Sequence, residues 1–421
     1  MYYERSRRKS SPRRILLLVI LVGIGVFLIA NQNALREQVI PAPTPTATRT
    51  AKSYIVEAES LAQTGNLKAA ANAYVQAASL EPENVDVLAT LARIMALTDR
   101  TAEAVKWAER AVQAAPQSAA AQSALSMALK FHAGKLALLG RDLESGKTLQ
   151  QALTTAKTAV TLDVNYPEGQ AYLAEIYAEL GDLENAEVSI QRALGLDPNR
   201  SEVRRAQGAV LESQGRYTDA AEAYRQAIAL TPNVGYLYLV LGRAYAVIAS
   251  ARDASFWTTA LDTFKQGAQI DPTDVRLLDE WGWTHWTLDQ YRDAQEVLER
   301  ATQLDPQAWS PRSHLAATYF QRTNYEAAIE SFKRALQMMN DTFDADHYCV
   351  TAQTQQCLRL VQAYITLGYA YRQLRQCEPL GFGAFRKALI IRPDNATAQG
   401  GYNQCAEDLG TPVPRTPTPR P

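Results

Sequence analysis

The stretch LYLVLGRAYAVI, residues 237–248, followed by ALDTFKQGAQIDP, residues 260–272, decides the fold. In the first segment Leu241, Gly242 and Tyr245 stand at i, i+1 and i+4, so a helix sets a gap beside a bulky ring on one face. In the second segment Ala260, Phe264 and Gly267 repeat that alternation of small and large. Asp271-Pro272 then stops the helix, because the residue before a proline avoids the α region. The pair predicts two antiparallel helices in which the gap left by Gly242 lets the second helix approach closely.

The phrase of the second helix occurs nine times between Leu61 and Ile391, for example as Ala70/Tyr74/Ala77/Pro82, Ala186/Ile190/Ala193/Pro198 and Ala294/Leu298/Ala301/Pro306. Successive ends such as Pro82 and Pro116, or Pro272 and Pro306, lie 34 residues apart, a period expected of stacked helix pairs. The phrase of the first helix recurs as Leu173/Ala174/Tyr177, Trp281/Gly282/His285 and Leu367/Gly368/Tyr371. Gly65, Gly181 and Gly215 fall between the helices of a pair, where a residue tolerant of positive φ closes the first one. Ala-rich stretches without alternating segments call for helix throughout and no strand.

These residues resemble the tetratricopeptide repeat family, with its Leu-Gly, Tyr, Ala, Phe/Tyr, Ala and Pro signature, over roughly residues 51–395. The resemblance implies an all-α superhelical solenoid of about nine helix pairs. Units are expected at 51–84, 85–118, 119–166, 167–200, 201–234, 235–274, 275–308, 309–342 and 361–395, with a capping helix at 396–409. The regularity breaks near 131–147, 249–255 and 343–360, where insertions leave as loops or helix extensions and offer a partner contact.

Ahead of the repeats, ILLLVILVGIGVFLIA at 15–30 follows a basic run containing six Lys/Arg within residues 1–14. This reads as an uncleaved transmembrane signal anchor over 15–35 with residues 1–14 cytoplasmic, placing the repeats outside the membrane. A cleaved signal peptide is the rival, but no small-x-small site follows the apolar run. Residues 36–50 form a Pro/Thr-rich linker, and 410–421 a similar disordered tail. The whole chain has a formal charge of -1, without the basic stripe that nucleic acid requires.

All four cysteines lie late, at Cys349, Cys357, Cys377 and Cys405, which agrees with an oxidising compartment and one or two disulfides. Zinc is the alternative, weakened by wide spacings and the lack of a C-x-x-C pair. Cys349 must precede a helix to meet Cys357, since eight residues within one helix separate them by about 12 Å. The favoured pairs are Cys349 with Cys357 and Cys377 with Cys405.

The family resemblance further implies that first helices line a concave groove holding an extended peptide or a partner helix. The groove-facing side chains are then Tyr172, Glu175, Tyr236, Arg243, Asp279, Trp283, Trp286, Phe320, Tyr369 and Arg372. WGWTHW at 281–286 is the densest local signal, with Trp283 and Trp286 three apart on one helical face. The bland alternative is that both tryptophans merely fill the groove. The family's carboxylate clamp is missing, since Ile55 and Glu59 occupy its places in the first unit.

Other signals lead away from catalysis. GRDLESGKT at 140–148 mimics a phosphate-binding loop with the wrong glycine spacing, and no strand precedes it. His132, His285, His314 and His347 are scattered singly, so no catalytic set or metal site is expected, and no cofactor. The sequence thus predicts a non-enzymatic, membrane-anchored scaffold or adaptor binding protein on the extracytoplasmic side of the cell membrane. The alternative is a regulatory or recruiting subunit of an envelope enzyme or of an export or polysaccharide-assembly complex.

Overall fold

The structure is a computed structural model and describes residues 11–31, 49–139, 141–351 and 354–412. Residues 1–10, 32–35 of the expected anchor, most of the expected linker, and 413–421 lie outside that set. Two units separate at Thr50. The first contains the helix Pro12–Ala30, 19 residues long with none of them buried, and apolar enough to cross a membrane. At a rise of 1.5 Å per residue it extends about 28 Å, close to the ~30 Å of a hydrocarbon core.

The second unit is a helical array, and among the described residues no strand occurs. Its regular pairs are built from helices of 13 and 14 residues, as in Val85–Leu97 with Thr101–Ala114 and Pro167–Glu179 with Leu183–Leu196. Local chemistry sets their starts. The side chains of Asn66, Asn84, Asp182, Asn324 and Asn395 each accept a hydrogen bond from the backbone N–H three residues on. Gly65, Gly181 and Gly215 have φ of 83°, 77° and 72° in the inter-helix turns. Asp99, Asp289, Thr323 and Arg375 adopt the same left-handed turn without being glycine, so only some turns are visible as glycines in the sequence.

The small-next-to-large pattern is a packing constraint. A Cβ on Gly242 would lie 2.4 Å from Phe264, one on Gly208 2.3 Å from Tyr224, and one on Gly282 2.5 Å from Leu298. Each of those large side chains is fully buried, so it has nowhere to withdraw.

The insertions are helix extensions. In the third unit the helices Ala119–Leu138 and Asp142–Leu162 have 20 and 21 residues, roughly two turns more each than a regular pair. The sequence 142–148 is therefore helix rather than a phosphate-binding loop. In the sixth unit Gly235–Ala251 is lengthened to 17 residues. Beyond Tyr325–Phe343 the chain forms the short helix Ala345–Thr351, and the next first helix spans Gln355–Gln373, beginning before the expected 361. Cys349 is bonded to Cys357 across that insertion, and Cys377 to Cys405. The second bond ties the turn after Gln355–Gln373 to the last helix, Ala396–Leu409.

The array coils until later units meet earlier ones. The side-chain amide of Asn233 donates to the Gln63 carbonyl in the first inter-helix turn, and Lys68 Nζ reaches Thr273 Oγ1 at 2.7 Å. Arg276 Nη2 donates to the Leu97 carbonyl at 2.8 Å, closing the second unit against the seventh. Gln356 Nε2 donates to the Ala137 carbonyl at 3.2 Å, so the extension in the third unit touches the start of the ninth unit's first helix.

Candidate partner-binding site

The first helices of units seven, eight and nine, Val275–Thr287, Trp309–Gln321 and Gln355–Gln373, carry one continuous set of polar and aromatic contacts. Asp279, Trp283 and Trp286 stand at i, i+4 and i+7 of the first of these, so they share a face. Trp283 stacks on Trp286 with ring centroids 4.4 Å apart and planes 7° from parallel. On its other side it stacks on His314 at 4.3 Å. Both tryptophans remain partly exposed.

Asp279 holds this arrangement from below. One carboxylate oxygen accepts from Ser310 Oγ at 2.6 Å, and the other is 2.7 Å from His314 Nδ1. Arg359 Nη1 adds a contact to Ser310 Oγ at 3.3 Å, joining the third helix to the row. Burial pushes the Asp279 carboxyl up, but the charge of His314 and the hydrogen bonds from His314 and Ser310 outweigh it, with Arg359 adding to them. The group is held below the ordinary carboxylate range. Its negative charge therefore stays in place and orients the imidazole beneath the indole. Chemically the row offers stacked aromatic faces, and its Ser310 hydroxyl is committed to Asp279, an arrangement suited to contact with a partner.

The opposite side of Val275–Thr287 packs. Gly282 faces Leu298, while His285 is buried with Nδ1 2.7 Å from Gln290 Oε1. The indole nitrogen of Trp286 is buried without a hydrogen-bond partner, so this ring is part wall and part surface.

The other sequence candidates fall elsewhere. Tyr172 is 1% exposed and Glu175 3%, so neither faces an accessible groove. The reason is the coiling of the array. Glu175 lies 3.4 Å from Lys130 and 3.0 Å from Arg205, and the Arg205 guanidinium sits over the rings of Phe131, Tyr172 and Tyr236. Tyr236 also packs against Phe131 at 5.2 Å and is covered by Arg276. The first-helix side chains of the early units thus fill their own concave side. Arg243 is exposed and paired with Glu280 at 2.9 Å. Phe320 meets Tyr325 edge-on. Tyr369 packs edge-on against Phe385, and Arg372 binds Asp408 of the last helix at 2.6 Å, which makes that pair structural.

The structure therefore gathers Asp279, Trp283 and Trp286 and separates them from the rest. Ser310, His314 and Arg359 escaped sequence reading, and His314 is not isolated. The available signal was register: His314 follows Asp279 by 35 residues, about one repeat, which sets the two on neighbouring first helices. Among the described residues no group of His, Cys, Asp and Glu has the geometry of a metal site.

Sequence models of one family, described as tetratricopeptide repeat, match residues 61–128 in one form and 173–235, 205–248 and 280–342 in another. The human protein O-mannosyl-transferase TMTC1 is 26% identical over 208 residues, which is 40% of this chain and 23% of that protein. Hsp70-Hsp90 organizing protein 2 of Arabidopsis thaliana is 20% identical over 271 residues, 63% of this chain and 41% of that protein. The chain thus spans less than half the length of either relative. Among solved structures, PilF of Pseudomonas aeruginosa superposes with a TM-score of 0.46 at 15% identity, over 56% of this chain and 97% of that one.

Proposed function

We propose, from the premise that the chain is a tetratricopeptide repeat protein, that it is a membrane-anchored scaffold gripping a protein partner on the first helices of units seven to nine. Repeats of this kind mediate protein–protein interaction, and the helix Pro12–Ala30 supplies a candidate anchor. The observation that carries the reading is the partly exposed stack Trp286–Trp283–His314, held by Asp279 while the concave side of the early units is filled. Aromatic surface on rigid helices is the kind of feature that dominates binding energy at interfaces. The ligand is an extended peptide or partner helix presenting an apolar or aromatic side chain to Trp283.

The six basic residues ahead of the apolar helix favour an N-terminus on the cytoplasmic side of the cell membrane, with the repeats extracytoplasmic. The two disulfides, Cys349–Cys357 and Cys377–Cys405, support an oxidising space. A photo-crosslinkable residue in place of Trp283 in the membrane-embedded full chain tests the grip. A specific crosslinked protein, lost on adding Trp286→Ala with the circular dichroism unchanged, is expected. The absence of any crosslink above that from an exposed outer position such as Arg225 would remove the site. Recovery of a synthase or translocase would define the scaffold as a recruiting subunit of that enzyme.

A further inference from the structure

Between the second helices of units eight and nine, Tyr325–Phe343 and Phe382–Ile391, lies an open groove of about 380 Å³. Its floor is Leu336, Tyr364, Leu367 and Tyr371, all buried, while Leu380 on its rim is 45% exposed. It runs from Lys333 to Asn340, seven positions along one helix, or about 10 Å. Lys387 on the far wall is committed to Asp346 at 2.6 Å and to the Tyr364 hydroxyl. Among the described residues the Tyr371 hydroxyl and the Lys333 ammonium have no hydrogen-bond partner. The groove thus joins apolar surface to uncommitted donors.

The last helix of the array comes to this groove. Cys405 is bonded to Cys377 with Cα atoms 5.5 Å apart, and its sulfur lies 3.2 Å from where a Cβ on Gly381 would stand. Both contacts are to the turn Cys377–Gly381, which also supplies Pro379 and Leu380 to the groove. From Cys405 the helix runs on to Leu409, about 6 Å, before Gly410 turns the chain with a φ of 63°. VPRTPTPRP follows at 413–421. Proline fixes φ and favours a polyproline II helix, which costs little entropy to order and leaves its carbonyls without internal partners. At about 3.1 Å per residue such a segment spans about 28 Å, enough to return from Leu409 and lie along the groove.

We infer that residues 413–421 dock in this groove as a polyproline II helix, with Pro414 and Pro417 seated against Tyr371 and Leu380 and a carbonyl of the segment accepting from the Tyr371 hydroxyl. Proline-rich segments with a P-x-x-P pair fit grooves walled by aromatic residues, and they bring acceptors to a surface that offers donors. Charge agrees with this occupant. The segment carries Arg415 and Arg420 and no acidic residue. The groove ends at Asn340, next to Asp341, and both Asp341 and Asp344 are exposed and outside any ion pair among the described residues. The chain therefore covers an apolar face of its late units with its own sequence. This groove lies apart from Trp283 and stands or falls independently of the partner reading.

A photo-crosslinkable residue in place of Leu380 in the membrane-embedded full chain tests the docking, with the adduct mapped by mass spectrometry. An intrachain adduct to 413–421 is expected, and replacing Pro414 and Pro417 by Ser should remove most of it. Fluorescence anisotropy supplies the second measurement, with a labelled synthetic peptide of residues 411–421 as probe. The chain truncated after Pro412 should bind it at least about tenfold tighter than the full chain, whose own segment competes at roughly millimolar effective concentration. Tyr371→Phe in the truncated chain should weaken the peptide about threefold to tenfold with the melting temperature unchanged, because that hydroxyl has no partner within the protein. Should the residue placed at 380 disturb the turn, the peptide competition decides alone. Equal peptide affinity of the two chains, or no adduct to 413–421, overturns the inference. So does an adduct to a second copy in a mixture of isotope-labelled and unlabelled chains, which would make the groove an interface between copies.

Discussion

The early units and the late units are written in the same repeat yet finish differently. In units one to six the coil closes, and the concave side fills with Lys130, Phe131, Tyr172, Glu175, Arg205 and Tyr236. Non-covalent contacts between the ends of this turn hold it: Asn233 to Gln63, Lys68 to Thr273 and, from the start of the seventh unit, Arg276 to Leu97. In the late units the tryptophan row stays partly exposed, and the end of the array is stapled by Cys349–Cys357 and Cys377–Cys405. A repeat specifies contacts with its neighbour only, so the ends need other means of stabilisation. One region obtains it by meeting its own next turn, the other from covalent bonds.

The comparison breaks first at Arg276. It binds Asp274 at 2.7 Å, the Leu97 carbonyl and Asp99, and Asp274 is 7% exposed. Arg276→Ala leaves that carboxylate buried and unpaired, for an expected loss of about 3–5 kcal/mol from the early units. Hydrogen exchange should quicken around residues 85–101 and 271–276 and stay unchanged at 377–405. If protection fell evenly along the array, the closure would not be local to the early turn. The reverse experiment replaces Cys377 and Cys405 by Ser, opening a separation of 28 residues. Loop entropy puts the loss at about 3.5 kcal/mol, confined to the late units in the same measurement.

Gly242→Ala probes what both regions share. Its Cβ would meet the Phe264 ring at 2.4 Å, and an overpacked core costs about 1–3 kcal/mol. A melting temperature equal to that of the unmodified chain would mean that the helix pair is looser than its packing indicates. The smallest effect is one of pH. Because the Asp279 carboxyl is held below the ordinary range, its contribution is complete above the unfolded value of about 3.9 and lost as pH falls through the lower folded value. The late units should therefore loosen on acidification below about pH 4. Asp279→Asn should remove that step, and an unchanged acid profile would show that the carboxylate is not what holds the row.

Parts of this site could be read in advance and parts could not. Asp279, Trp283 and Trp286 share one helix, so helical periodicity alone puts them together. Ser310, His314 and Arg359 join from other helices through inter-unit register, and a lone histidine in the sequence carries no mark of a partner 35 residues away. Tyr172 and Glu175 follow the same face rule yet are buried, because what lies opposite them comes from other units. The turns at Gly65, Gly181 and Gly215 were legible, while Asp99, Asp289, Thr323 and Arg375 take the same conformation without the glycine that marks it in a sequence.

By itself the sequence determined the helix pair, its 34-residue period, the small-beside-large contact within each pair and the apolar helix ahead of the array. Those features depend on residues a few turns or one repeat apart. The tertiary structure alone decided that the early turn closes on itself, that the two-turn extension at Ala119–Leu138 reaches Gln356, and that the late units keep a partly exposed aromatic row. Closure is the sum of small rotations between successive units, and no single repeat encodes where the sum brings the chain back to itself.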